Sequence, residues 1–225
     1  MINIAIDGPA GAGKSTIAKS VAKELGYIYV DTGALYRTVG LNSLRLGYDT
    51  KSVELVSKTL DIINVELKFI NGVQRVYLNG EDVSDEIRSP QASMAASNVS
   101  AIPSVRQYLF DLQKNIAKEN NCIMDGRDIG TVVLPNAQVK IFLTASVEER
   151  ARRRYKELTE KGSDVEYLSV LEEMKQRDFQ DSNREIAPLK PANDSVIVDT
   201  TNISLPQVIA DIKSIVEEKI HGKRI

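Results

Sequence analysis

Apolar positions follow two rhythms along this chain. Residues 1–7 (Met-Ile-Asn-Ile-Ala-Ile-Asp) read as a buried strand. Ile17, Ala18, Val21, Ala22 and Leu25 then recur at the three-and-four spacing of one helix face, and Gly26 stops that helix. Tyr27-Ile-Tyr-Val30 predicts a second strand ending at Asp31; Cys122-Ile-Met124, Val139-Lys-Ile-Phe-Leu143 and Ser195-Val-Ile-Val198 predict further strands. Val208, Ile209, Ile212, Ile215 and Val216 make residues 206–219 an amphipathic helix. Strand and helix signals in alternation predict an α/β fold with a mostly parallel sheet.

Two stretches break the alternation. In residues 65–83, Val65, Leu67 and Phe69 and then Val76 and Leu78 alternate on either side of Asn71-Gly72. Asn-Gly between alternating runs signals a hairpin, so a small antiparallel insert is expected here. Residues 146 to about 185 form a charged helical stretch. Ser146 and Glu149 suggest a capping box at its start, Gly162 breaks it, and Asp164 is expected to begin a second helix. Leu168, Leu171 and Met174 should mark the buried side of that second helix. With no internal repeat and no low-complexity linker, both stretches read as appendages on one core.

Composition narrows the class. Hydrophobic residues at 42% and charged residues at 27% fit a soluble globular chain able to bury a sizeable core. A net charge of −2 argues against a dedicated nucleic-acid binder. The lone Cys122 allows no intrachain disulfide and, with His221 the lone histidine, leaves no structural zinc set. Cys122 is expected to be buried in its strand and His221 solvated. No apolar run approaches membrane-spanning length, and the first strand leaves no room for a signal peptide, so a reducing cytoplasm is the expected compartment.

The strongest chemical signal is Gly8-Pro9-Ala10-Gly11-Ala12-Gly13-Lys14-Ser15-Thr16, which fits G-x-x-x-x-G-K-[ST] between a strand and a helix. Glycines let backbone N–H groups close on phosphate oxygens, and the helix start adds its positive dipole end. Lys14 can reach the β- and γ-phosphates, and the Ser15 hydroxyl can ligate Mg²⁺. Asp125, at the end of a predicted strand, stands where such proteins place a carboxylate that holds Mg²⁺ directly or through water. Asp31-Thr32-Gly33-Ala34-Leu35-Tyr36-Arg37 follows another strand end, where a second ligand lies in open α/β sheets. Arg37 can chelate a phosphate and Tyr36 can pack on a ring. Arg150, Arg153 and Arg154 share a helix face suited to the charge of a transferring phosphoryl group, though neighbouring glutamates equally suit a solvated surface. Arg177, Asp181 and Arg184, at i, i+4 and i+7, form another one-sided ladder, readable as surface ion pairs or as a grip on sugar and phosphate.

Residues 8–16 and 31–37, Asp125-Gly-Arg-Asp-Ile-Gly-Thr131, and Arg177-Asp178 with Asp181 and Arg184 occur in the order of the bacterial cytidylate kinases, and the chain resembles that family nearly end to end. The hairpin before Ser97 resembles the subdomain that separates the bacterial enzymes from shorter nucleoside monophosphate kinases. The resemblance implies a P-loop nucleoside monophosphate kinase fold: a parallel sheet flanked by helices, a small antiparallel β insert and a helical lid. It implies one domain over residues 1–225, with a substrate arm and insert at about 32–105 and a lid at about 146–185. It further implies phosphoryl transfer from ATP, with Mg²⁺, to CMP or dCMP by a monomer without nucleic-acid or membrane partners. By family pattern, Ser97, Arg106 and Asp128 face the cytosine. Thr32, Arg37 and Arg127 hold the monophosphate, where the family often has Ser at the position of Thr32, and Tyr36 lines that pocket. Arg177 and Asp181 reach the ribose side with Arg184 nearby, and Lys14, Arg127, Arg153 and Arg154 carry the catalytic charge. The alternatives are a P-loop kinase for another small acceptor, such as adenylate, guanylate, thymidylate or shikimate kinase, or a non-catalytic nucleotide-binding regulator. A GTPase is disfavoured by the lack of N-K-x-D, and an RNA-binding role for residues 150–156 by the interleaved glutamates.

Overall fold

A computed structural model describes residues 1–222. Its elements run β1 (Asn3–Asp7), α1 (Lys14–Leu25), β2 (Ile28–Asp31), α2 (Thr32–Arg45), α3 (Val53–Thr59), β3 (Val65–Ile70), β4 (Val73–Leu78), β5 (Glu81–Asp82), α4 (Pro90–Val99) and α5 (Pro103–Glu119). Then follow β6 (Cys122–Gly126), a π-helical turn (Ile129–Val133), β7 (Val139–Thr144), α6 (Val147–Glu160), α7 (Tyr167–Asn183), β8 (Val196–Asp199) and α8 (Leu205–His221). The chain divides into two compact units: residues 28–121 with Met1, and residues 2–27 with those from 122 on.

The second unit is built on a parallel sheet in the order β6-β1-β7-β8, with Ile4 opposite both Ile123 and Val139, and Ile141 opposite Val196. Ile4, Ala5, Ile6, Ile123 and Met124 are fully buried. That is why β1 and β6 read as unbroken apolar runs: helices cover both faces of a parallel sheet. α1 buries Ile17, Ala18, Val21 and Ala22, the face its sequence spacing marks, and Gly26 closes it in the left-handed region at φ 69°. α8 buries Val208, Ile212 and Val216. Cys122 is buried, as expected, and burial pushes its thiol up to about 12; His221 is exposed.

The first unit holds the antiparallel sheet β3-β4-β5. Asn71 and Gly72 both adopt positive φ, 52° and 75°, as a two-residue hairpin turn of the favoured twist requires, and Ile70 pairs with Val73 across it. Val65, Val76 and Leu78 face a core shared with Leu35, Val39, Val105 and Leu109. α2 and α4 pack backbone to backbone at Gly40, where a Cβ would stand 2.8 Å from Ala95 Cβ.

The charged stretch departs from expectation in three places. α7 begins at Tyr167 rather than Asp164. Val165 and Tyr167 pack on the apolar cluster of α6 around Ala151, so the connection after Gly162 spans to that cluster before the helix begins. Leu168 is 71% exposed; Met174 is buried and Leu171 packs partly buried against the same cluster, as expected, and Val170 and Asp181 complete the buried face of α7. Arg184 lies past the last turn with ψ 142°, so it leaves the helix face on which Arg177 and Asp181 stand.

Candidate active site

The phosphate loop leaves β1 at Gly8. Its φ is +148°, and a Cβ there would sit 1.9 Å from the Leu143 carbonyl oxygen, so only glycine lets the loop turn out of the sheet. Gly13 forms the N-cap of α1 in the left-handed region, and neither a capping side chain nor an acidic residue occupies the first turn. The helix start is therefore not capped by its own side chains, the arrangement that suits an anion at a helix N-terminus. Lys14 is buried and donates from Nζ to the Pro9 carbonyl at 2.7 Å. Burial, and then the nearby Arg127 charge, hold its ammonium well below the usual lysine range. A phosphate beside it would oppose both effects. Ala12 is fully buried, while Ser15 and Thr16 are exposed.

Ser15 Oγ donates to Asp125 Oδ2 at 2.8 Å. A hydroxyl and a carboxylate brought together at the loop's end are hard oxygen donors of the kind Mg²⁺ selects when phosphates and waters complete its shell. Among the described residues no cluster of three or more His, Cys, Asp or Glu could hold a metal by protein groups alone. The donor set therefore fits a Mg²⁺ that arrives with a nucleotide.

Beyond β6 the chain turns sharply, and Asp7 fixes the turn. Its carboxylate accepts from the N–H groups of Ile129 at 2.8 Å and Gly130 at 2.7 Å. Burial pushes its pKa up to about 6, against the pull of those two bonds. Arg127, presented by this turn, donates from Nε to Asp181 Oδ2 at 2.8 Å. Burial opposes the Arg127 charge, but Asp181, Asp125 and Asp7 together outweigh it and raise the pKa. In the other direction, burial of Asp181 is outweighed by Arg127 and Arg177, which hold its carboxyl low. Arg184 donates from Nε to the Ala187 carbonyl at 2.7 Å and reaches Asp128 Oδ1 at 3.5 Å. The charges of Arg127, Asp125, Arg177 and Asp181 thus all act on Lys14 within the second unit.

The α6 arginines differ sharply. Arg150 is buried; it donates to the carbonyls of Ala145 at 2.9 Å and Ala10 at 3.1 Å, and pairs through two nitrogens with Asp178. It ties α6, α7 and the phosphate loop together, and its guanidinium is spent on that. Arg153 bonds Glu149 and both the hydroxyl and carbonyl of Thr200, and Arg154 bonds Glu157 at 2.9 Å. Half of the expected capping box forms: Ser146 Oγ accepts from Glu149 N–H at 3.2 Å. The Glu149 carboxylate turns instead to Arg152 and Arg153, and Ser146 N–H finds Thr201 Oγ1.

The first unit carries the other expected residues. Asp31 caps α2, its Oδ1 accepting from Ala34 N–H at 3.0 Å, and its Oδ2 accepts from Arg37 Nη2 at 2.7 Å. Thr32 is buried at the first position of α2. Tyr36 packs against the apolar core, and the Arg106 guanidinium lies 5.7 Å from its ring centroid. Arg106 also donates to the Ser100 carbonyl at 3.2 Å, and Ser97 is half-buried on α4. Asp7 was not singled out by sequence, and Asp178 was marked only by the family resemblance, without its role as the partner of Arg150. Asp7 is the final residue of an apolar strand, a weak signal; for Asp178 no local pattern separates an ion pair with α6 from a surface charge.

A strand, a glycine loop and a helix on a parallel sheet, with a carboxylate bonded to the loop serine, define a P-loop protein. The cytidylate kinase family model matches residues 4–218, and the chain belongs to that family. It is 53% identical to the cytidylate kinase of Caldicellulosiruptor saccharolyticus over 94% of this chain and 93% of that one. It is 51% identical to that of Ligilactobacillus salivarius over 98% of each chain. Among solved structures, an uncharacterized protein from Eubacterium ventriosum shares the fold at a TM-score of 0.54 and 12% identity, covering 96% of this chain and 99% of that one.

Proposed function

We propose that this chain transfers the terminal phosphoryl group of ATP to CMP or dCMP, releasing ADP and CDP or dCDP. Family membership across residues 4–218 carries the proposal. An oxygen of the acceptor monophosphate attacks the γ-phosphorus, the bond from phosphorus to the β,γ-bridging oxygen breaks, and ADP leaves. The attacking oxygen is already anionic, so no strong base is needed; alignment and charge neutralisation supply the rate.

Residues 8–16 cradle the ATP phosphates, and Lys14 exchanges the Pro9 carbonyl for phosphate oxygens. Ser15 and Asp125 would hold Mg²⁺, directly or through water, and the ion would supply Lewis-acid neutralisation of phosphate charge. Arg127, with Arg153 and Arg154, adds positive charge; the last two must first release Thr200, Glu149 and Glu157. In the first unit Thr32 and Arg37 bind the acceptor phosphate, Tyr36 packs beside it, and Ser97 and Arg106 bind cytosine. In the second unit Asp128 accepts from the cytosine exocyclic amine, a group uracil lacks, while Arg177, Asp181 and Arg184 serve the ribose. Residues 146–185 act as a lid over ATP and residues 32–105 as the acceptor arm, both ordering on binding and excluding water. The enzyme works as a cytoplasmic monomer without nucleic-acid partners. Among the described residues, no helix is long and apolar enough to cross a membrane.

Phosphorus NMR of the protein with ATP, Mg²⁺ and CMP tests this. Resonances of ADP and CDP should grow together without inorganic phosphate. Growth of inorganic phosphate alone would make the chain a hydrolase and overturn the proposal.

A further inference from the structure

The inward face of β4 contains a residue that packing does not explain. With side chains alternating along a strand, Gln74, Val76 and Leu78 share one face, and Val76 and Leu78 are in the core. Gln74 breaks that apolar pattern, and both ends of its amide are engaged. Gln74 Oε1 accepts from Asp31 N–H at 2.8 Å, and Gln74 Nε2 donates to the Asp31 carbonyl at 3.3 Å. The side chain thus pairs with one peptide residue in both directions, as a neighbouring strand would, across 43 positions of sequence.

The residue it grips is the N-cap of α2. Asp31 caps α2 through Oδ1 and holds Arg37 through Oδ2. The fit is close: a Cβ on Gly33 would stand 3.1 Å from both Arg37 Nη1 and Asp31 Oδ1. Arg37 Nε is a buried N–H with no partner among the described residues, a donor left for an incoming oxygen. An unpaired buried donor is costly, so a ligand oxygen delivered to it gains affinity.

On the proposed role of Arg37 as a ligand of the acceptor phosphate, we infer that Gln74 is a positioning residue for that phosphate: the hairpin insert sets the Arg37 guanidinium through the Gln74–Asp31 pair. The insert then serves acceptor binding by fixing the start of α2, beyond any surface it offers to the base.

The test is steady-state kinetics of Gln74→Leu, which keeps the side chain's bulk on a face that already carries Val76 and Leu78. KM for CMP should rise about tenfold, the loss expected for one or two hydrogen bonds, with kcat and KM for ATP unchanged. Inhibition by cytidine, which has no phosphate, should be unaffected. Gln74→Glu keeps the acceptor for Asp31 N–H and should fall between the natural protein and Gln74→Leu, and it carries the test if Gln74→Leu does not fold. In an Arg37→Ala background, Gln74→Leu should add nothing. An unchanged KM for CMP in both Gln74 variants, or full additivity with Arg37→Ala, overturns the inference. If Arg37→Ala itself leaves KM for CMP unchanged, the assigned role of Arg37 fails, and the inference with it.

Discussion

Lys14 shows how far single residues could be read. Its place in the loop motif is visible in sequence, and the buried ammonium bonded to Pro9 is what the motif requires before a nucleotide arrives. Replacing it with alanine should cut kcat by about two to three orders of magnitude, as loss of one preorganised charge donor does, while KM for CMP changes little. A loss confined to ATP affinity would instead indicate a binding module. Ser15, Asp125 and Cys122 were equally legible, because a motif or an apolar run fixes their surroundings. Asp7 was not: its partners lie 122 and 123 positions away, brought near by the parallel register of β1 and β6. Burial sets its folded pKa at about 6, above the ordinary 3.8. A raised folded pKa means a contribution to stability that is complete below about pH 4 and lost as pH rises through about 6. Urea unfolding should therefore show the natural chain losing up to about 3 kcal/mol relative to Asp7→Asn between about pH 4 and about pH 7. A pH-independent difference would contradict the burial of this carboxyl.

Elements with a strong period were the most legible. α1, α8 and the β3–β4 hairpin stand where spacing and Asn71-Gly72 put them, since each buries the apolar side that its own period marks. α6 and α7 were less so. Their charged residues fit a solvated face or a built interior equally well, and only packing against Ala151 sets where α7 begins and that Leu168 turns outward. Arg150 is the instructive case: it shares a sequence rhythm with Arg153 and Arg154, yet it alone is buried, held by Asp178, Ala10 and Ala145. Arg150→Met should lower the unfolding free energy by about 3 kcal/mol, because Asp178 and two carbonyls lose their donor. Equilibrium urea denaturation measures it, and a change near zero would place Arg150 among the exchangeable surface charges.

Across the whole chain, the parallel sheet and the insert were readable, whereas the grip of Gln74 on Asp31 was not, because no local pattern reports a side chain meeting a peptide 43 residues away. If residues 146–185 form a lid and residues 32–105 an acceptor arm, amide hydrogen exchange should slow in the first region with an ATP analogue and in the second with CMP. Equal protection with and without ligands would contradict both assignments. Most direct of all is turnover with ATP and Mg²⁺ against CMP, dCMP, UMP, AMP, GMP and dTMP in turn, followed by ADP release. Strong turnover with CMP and dCMP and little with the others is the expected result. No turnover with any of the six monophosphates, in a protein that still binds ATP, would contradict the account.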